Sequence, residues 1–252
     1  MSRWQVVSFY TTGTGYEQEV KKLEASLVEH SLPYHLFACA PKGSWRANLN
    51  HKSDIILQAF DMFPDKDIVF IDADGIVRKH PALFDELSER RAHDVAAHFH
   101  PYRTGASGGS LLSGTLWFQN SDTGRRLVRA WHRIGIEHPD VRHQHCLRLA
   151  LHEFNTGGIH IRLYKLPREY TLIFDYYRGA NRPEPVIEHF QASRWLKQEV
   201  GRGLPLLNSN FVTLADKQRG LRMLGARRWS MRPVTSRGVT QGVALGKNEG
   251  AG

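Results

Sequence analysis

Apolar and polar positions along the chain change their period in a regular order. Residues 4 to 10 are rich in β-branched and aromatic side chains (Trp4, Val6, Val7, Phe9, Tyr10) and predict a strand. Thr11, Thr12, Gly13, Thr14 and Gly15 follow as a small-residue loop. Residues 16 to 29 then take helical spacing, with Val20, Leu23, Leu27 and Val28 on one face. After Pro33, residues 34 to 38 predict a second strand, residues 45 to 50 a polar loop, and residues 52 to 60 an amphipathic helix. Pro64 and Asp65 turn the chain into Asp67, after which Ile68, Val69, Phe70 and Ile71 run apolar without a break. A strand buried on both faces of a parallel sheet reads this way. Strand, helix, strand, helix, strand in succession predicts a doubly wound α/β fold, with a mostly parallel central sheet flanked by helices.

The second half is less regular. A short helix is predicted over residues 82 to 90 and a strand over 94 to 98, followed by a Gly/Ser-rich loop at 99 to 110 long enough to be a mobile lid. Residues 113 to 118 predict a further strand, and Asn120, Ser121 and Asp122 offer caps for a helix over 123 to 132. A second helix is placed at 141 to 152, a strand at 159 to 166, a loop at 174 to 185 and a last short strand at 186 to 190. Beyond Val200 the apolar pattern thins to one helix at 214 to 224, and from Arg232 onward Gly, Ser and Thr predict poor order.

Composition narrows the picture. A chain of 252 residues buries a sizeable core, which favours one catalytic domain, residues 1–197, with an appendage, residues 198–252. Charged residues make up 23% and hydrophobic ones 41%, an ordinary soluble balance. No apolar run approaches the roughly 20 residues of a membrane span, and the N-terminus lacks a signal peptide's order, so a cytoplasmic protein is expected. Cys39 and Cys146 make no metal-like spacing and are expected as buried free thiols. The net charge of +9 is unevenly placed. From Lys197 to the end there are ten Lys/Arg against three acids, hence +7, and the extension is the basic part. It predicts contact with an anionic partner such as nucleic acid, phosphorylated glycan or lipid headgroups.

The candidate chemistry sits at the end of the buried strand, where Asp72 and Asp74 stand two positions apart. Two ionised carboxylates are costly there unless a cation or strong donors compensate them. A divalent ion, Mn²⁺ or Mg²⁺ carrying a phosphate, suits such oxygen ligands. In doubly wound sheets ligands lie outside the carboxyl ends of the strands, which is where these residues fall. The loop from Thr11 to Gly15 could present backbone amides to a nucleotide, although it fits neither the dinucleotide fingerprint nor a P-loop.

Taken together, the first strand, the βαβ half, Asp72-Ala73-Asp74, the strand opened by Ser113-Gly114-Thr115, and His189-Phe190-Gln191-Ala192-Ser193-Arg194-Trp195 resemble the metal-dependent glycosyltransferases of the GT-A fold. The likeness is to the glycogenin-like and lipopolysaccharide-galactosyltransferase-like nucleotide-diphospho-sugar transferases, and it covers roughly residues 4 to 196. It implies a Rossmann-like GT-A domain that moves a sugar from a nucleoside diphosphate donor, UDP-linked, to a glycan, a lipid-linked glycan or a modified base in DNA. It also implies positional roles. Asp72, Asp74 and His189 would hold the metal against the diphosphate, with Asp72 also meeting the ribose or sugar. Arg194, at a lysine position of the family, would contact the diphosphate, and Trp195 stands near the family's Trp. Tyr10 and Thr11 match the nucleobase and ribose site, and Lys52 a basic residue near phosphate or sugar. Gln144 falls where retaining relatives carry Asp-Gln, with His143 in place of the Asp. An inverting route needs a carboxylate base, for which Asp175 or Asp140 could serve. In this segment the chain departs from the family: Ala192 replaces Gly, Arg194 replaces Lys, and a Pro is missing.

Two other classes compete. A nucleotidyltransferase would also set acidic pairs on an α/β sheet, but it should carry basic residues just after the first strand, and Thr11 to Gly15 has none. A non-catalytic nucleic-acid-binding protein would use the basic extension and leave Asp72, Asp74 and His189 unexplained. Zinc at His143, His145 and Cys146 is disfavoured, because helical positions i and i+2 do not face one another.

Overall fold

The computed structural model describes residues 2–42, 48, 51–101, 109–139, 141–176, 182–194 and 196. Most of the expected loop at 45–50, residues 102–108 of the expected lid, Asp140, Trp195 and the whole basic extension lie outside the described residues, and so do the expectations placed on them.

The elements are β1 (Trp4–Thr11), α1 (Tyr16–Glu29), β2 (Tyr34–Cys39), α2 (His51–Met62), β3 (Asp67–Ile71), β4 (Gly75–Val77), α3 (Ala82–Arg90), β5 (Val95–Pro101), β6 (Gly109–Phe118), α4 (Asp122–Glu137), α5 (His143–Thr156), β7 (Leu163–Lys165), a 3₁₀ turn (Arg168–Thr171), β8 (Leu172–Ile173) and β9 (Ile187–His189). The main sheet has six strands in the order β2-β1-β3-β6-β5-β7. β1 pairs in parallel with β2 and β3, and β5 with β7, while β6 runs antiparallel to both its neighbours. The sheet is mostly parallel, as the pattern predicts, with β6 the reversed strand.

Strand alternation divides the core. Ile68 and Phe70 of β3 point to one face, where they meet Ile56, Ala59 and Phe60 of α2, Leu127, Val128 and Trp131 of α4, and Leu147 and Leu151 of α5. Val69 and Ile71 point to the other, against Leu23 and Leu27 of α1 and Phe84 and Leu87 of α3. Every residue of β3 is buried, which explains its unbroken apolar run. A smaller sheet, β4-β9-β8, lies beyond the end of β3.

Several boundaries differ from the pattern. The expected lid at 99–110 is partly strand: β5 reaches Pro101 and β6 starts at Gly109, with Phe99 opposite Leu111. Glycine and serine content implied a loop, but the ladder partner supplies the hydrogen bonds and Leu111 is buried. A bulge between Ala97 and His98 absorbs the irregularity. The strand expected at 159–166 shrinks to Leu163–Lys165, because Ile161 closes a turn by accepting from the Leu163 N–H. α4 runs on to Glu137, since Ile134 continues its buried face past Trp131, and Ser121 caps it by accepting from the Gly124 N–H. α5 is shifted to start at His143 and end at Thr156. Cys146 is buried and Cys39 half-buried, both as free thiols. Burial pushes the Cys146 thiol up to about 11.

An ion pair between buried Asp94 and half-exposed Arg162 ties the far edge of the sheet. Asp94 Oδ1 accepts from Arg162 Nη2 at 2.6 Å, and its Oδ2 from the Arg162 backbone N–H at 2.8 Å. Asp94→Ala is expected to lower the unfolding free energy by about 2 kcal/mol in urea denaturation, the cost of orphaning donors beside β5 and β7. A change within about 0.5 kcal/mol, the scatter of ordinary surface substitutions, would show the clamp to be dispensable.

Candidate functional site

The chain leaves β3 at Asp72 and turns at once into β4, so Asp72 and Asp74 straddle the junction of the two sheets. The Asp72 N–H donates to the Gly114 carbonyl at 2.8 Å, and the Gly75 N–H to the Asp72 carbonyl at 2.8 Å. β4 then pairs antiparallel with β9, with Gly75 opposite His189. This one register brings together residues more than a hundred positions apart. Asp72, Asp74 and His189 each offer a ligand atom, and these atoms lie within 4.8 Å of one another.

Each member is fixed by neighbours. His189 is 2% exposed, and its Nε2 shares a 2.8 Å hydrogen bond with Thr115 Oγ1, while its Nδ1 stands 3.7 Å from Asp74 Oδ1. Asp74 Oδ2 accepts from the Ala192 N–H at 2.8 Å, and its carbonyl from the Phe190 N–H at 3.1 Å. Between those two donors Gln191 takes a φ of 57°, the left-handed region. That bend turns the chain after β9 so that both N–H groups face Asp74. Space is tight where the imidazole lies: a Cβ on Gly114 would stand 3.0 Å from His189 Cε1 and press on the buried ring. A Cβ on Gly75 would stand 2.6 Å from Ile71 Cγ2 and 3.1 Å from the Asp72 carbonyl.

Lys52 is the largest departure from what its place in an amphipathic helix implied. It is 1% exposed, and its Nζ lies 2.6 Å from Asp72 Oδ1 and 2.8 Å from the Ser113 carbonyl, above the Phe70 ring. The compensating charge for Asp72 is therefore supplied by the protein itself. Asp74 has the Ala192 N–H and the adjoining imidazole instead.

The two carboxyls are driven apart. Loss of hydration raises the Asp72 carboxyl above its ordinary value, and the nearby Asp74 adds to this against the opposing pull of Lys52. For Asp74 the same desolvation is outweighed by the His189 imidazole, the Ala192 N–H and Lys52, which hold it below the ordinary value.

Arg194 and Asp175 flank this group. Arg194 Nη1 lies 2.5 Å from Asp175 Oδ2, and its guanidinium stands 5.9 Å from the Phe174 ring, which stacks on Phe190. Phe174 is tied to the site by its N–H, which donates to the His189 carbonyl at 3.1 Å. Asp175 is thus an ion-paired carboxylate rather than a free one, with Oδ1 buried and unpartnered. Tyr10 and Thr11 end β1, where Thr11 pairs with Cys39 and its carbonyl accepts from Thr14 Oγ1. The loop that follows packs against the segment after β9, since a Cβ on Gly15 would meet the Leu196 side chain. Gln144 is half-buried in the first turn of α5, next to His143, whose Nε2 lies 2.8 Å from Ser113 Oγ.

Ser113 and Thr115 are the residues that sequence reasoning passed over as functional. Their signal was the small polar run opening a strand that proves to lie antiparallel beside β3, where short hydroxyls can reach groups at that strand's end.

No protein-family model matches the chain, and no curated protein matches it. The structure is similar to the crystal structure of a glycosyltransferase involved in the glycosylation of the major capsid of PBCV-1, with 17% identity and a TM-score of 0.55. The match covers 79% of this chain and 98% of that chain. The fold is glycosyltransferase-like, and its Asp72, Asp74 and His189 form a group able to hold a metal ion.

The depressed Asp74 carboxyl yields a signed expectation. A carboxyl whose value is lower folded than unfolded adds stability above its unfolded value, and loses it as pH falls through the folded one. In chelator-treated protein, wild type should exceed Asp74→Asn in unfolding free energy at neutral pH, and the gap should narrow as pH drops below about 4. A gap that stays constant from pH 7 to about pH 3 would contradict the depressed value.

Proposed function

We propose that this protein is a metal-dependent glycosyltransferase that takes a sugar from a nucleoside diphosphate donor, UDP-linked. The observation that carries the reading is the convergence of Asp72, Asp74 and His189 at the junction of the two sheets in a glycosyltransferase-like fold.

The donor set fits Mn²⁺ or Mg²⁺. It offers two carboxylates and one imidazole, with further coordination positions left for phosphate oxygens and water. With a metal bound, Thr115 Oγ1 would accept from His189 Nε2–H and leave Nδ1, 3.7 Å from Asp74 Oδ1, to the ion in place of its present interaction with that carboxylate. When bound, the ion would neutralise negative charge building on the departing nucleoside diphosphate. The residues themselves hold and orient. Lys52 opposes the desolvation of Asp72 and fixes its direction, and the Ala192 N–H orients Asp74. Arg194 is 44% exposed, so its fork can leave Asp175 for a phosphate, freeing that carboxylate beside the reacting sugar. Tyr10 and Thr11 would meet the nucleoside, and Gln144 the sugar. The acceptor is a glycan or lipid-linked glycan, and the +7 charge from Lys197 to the end favours one that carries negative charge. A cytoplasmic location is part of the same reading. Among the described residues no helix is long and apolar enough to cross a membrane.

Thermal shift with a panel of nucleoside diphosphates is expected to show stabilisation by UDP with Mn²⁺ and little by UDP alone. Asp74→Asn and His189→Ala should each lower Mn²⁺-stimulated UDP-sugar hydrolysis by about two orders of magnitude or more. Unchanged hydrolysis in both variants would sink the metal assignment. Absence of any nucleotide shift would favour the nucleic-acid-binding alternative.

A further inference from the structure

Behind the three metal-ligating groups lies a set of polar side chains inside the protein. Lys52 Nζ, already bonded to Asp72 and to the Ser113 carbonyl, also lies 3.4 Å from Ser113 Oγ. The same Oγ is 2.8 Å from His143 Nε2. The His143 backbone is held in turn, its carbonyl accepting from Trp131 Nε1 at 2.9 Å. His143 Nδ1 is buried without a partner. A buried ring nitrogen without a partner forfeits its hydration, so the imidazole occupies this position at a penalty.

Hydrogen-bond polarity orders the set. An ammonium can only donate, so Ser113 Oγ accepts from Lys52 and its own O–H donates to His143 Nε2. That requires a neutral imidazole. His143 is held neutral, first by burial and then by the positive charges of Lys52, Arg142 and His145. The result is a directed chain, Lys52 to Ser113 to His143, whose other end is the Asp72 carboxylate.

We infer that His143 is a positioning residue for the cation site, setting the direction of Asp72 through Ser113 and Lys52. This rests on the metal reading above. A lysine has four rotatable bonds and a compact ammonium with no directional preference of its own. Its three donors become directional only when each acceptor is fixed, and Ser113 Oγ is fixed by His143. Removing the imidazole lets the hydroxyl turn, so the ammonium and Asp72 sample more orientations before a cation arrives. Groups hydrogen-bonded to metal ligands are each worth 10–100-fold in affinity, and His143 acts two bonds further out, so about three- to tenfold is expected.

The test uses the full chain and Mn²⁺ alone as probe. Binding is read by electron paramagnetic resonance, and the Lys52 ammonium by ¹⁵N-lysine NMR. His143→Ala should weaken Mn²⁺ binding about three- to tenfold and shift or broaden the Lys52 signal. His143→Gln, whose amide oxygen can accept from Ser113, should recover most of both. Ser113→Ala removes only the linking oxygen and should match His143→Ala, which keeps the test decisive if the alanine variant at 143 does not fold. Folded variants with wild-type Mn²⁺ affinity would overturn the positioning role and leave the metal site standing. A wild type that binds no Mn²⁺ would overturn the metal site and this role with it.

Discussion

The constraint on which the site depends is a buried ammonium. Lys52 has almost no exposed surface, and a charge so placed costs several kcal/mol unless it is paired and hydrogen-bonded. Its partners come from two separate parts of the chain: Phe70 and Asp72, within and just after β3, and Ser113 of β6. α2 is thereby tied to the end of the central strand, and β6 to both. The arrangement also alters the electrostatic starting point of the site. Two carboxylates close together would repel, but one is countered by the lysine, and the other by a backbone N–H and an imidazole. The charge of the acidic pair is thus partly neutralised by the protein's own residues.

A second constraint is geometric. Asp74 and His189 meet because β4 and β9 pair in one register, with Gly75 opposite His189. Slipping that register by one residue would turn His189 to the other face of the small sheet. The register is supported by the ion pair of Arg78, just past β4, with Glu188 of β9 and by the Gln191 bend, which directs two N–H groups at Asp74. A non-glycine residue in the left-handed region costs of order 1 kcal/mol, and the hydrogen bonds it aims at Asp74 offset this. Gly75 and Gly114 leave room for the ring.

Reading the sequence recovered α1 and α3 to the residue and the first three strands to within one, because each carries a clean period or an unbroken apolar run bounded by Gly or Pro. It was weaker between residues 94 and 166. There small and polar residues in β5 and β6 resemble a loop, and only the ladder partner shows them to be strand. Asp72, Asp74 and His189 were legible as candidates from residue type and order. Lys52 and Asp175 were named as candidates too, but their pairing with Asp72 and with Arg194 was not legible. A lysine in an amphipathic helix is normally solvated, and nothing near residue 52 announces that its helix faces a carboxylate. Asp175 has no sequence neighbour that foretells its ion pair with Arg194.

The amino-acid sequence by itself determined the α/β class, the order of elements in the first half, the acidic pair ending a doubly buried strand and the basic character of the extension. These follow from local periodicity and charge, which tertiary contacts seldom reverse in a strongly patterned segment. The tertiary structure alone decided which groups meet: that β6 runs against its neighbours, that His189 reaches Asp74 across a two-strand register, and that Lys52 is buried against Asp72 with Ser113 and His143 behind it. Such contacts join residues about 20 to 120 positions apart in the chain. Their existence depends on distances and directions in space, which no pattern along the chain encodes.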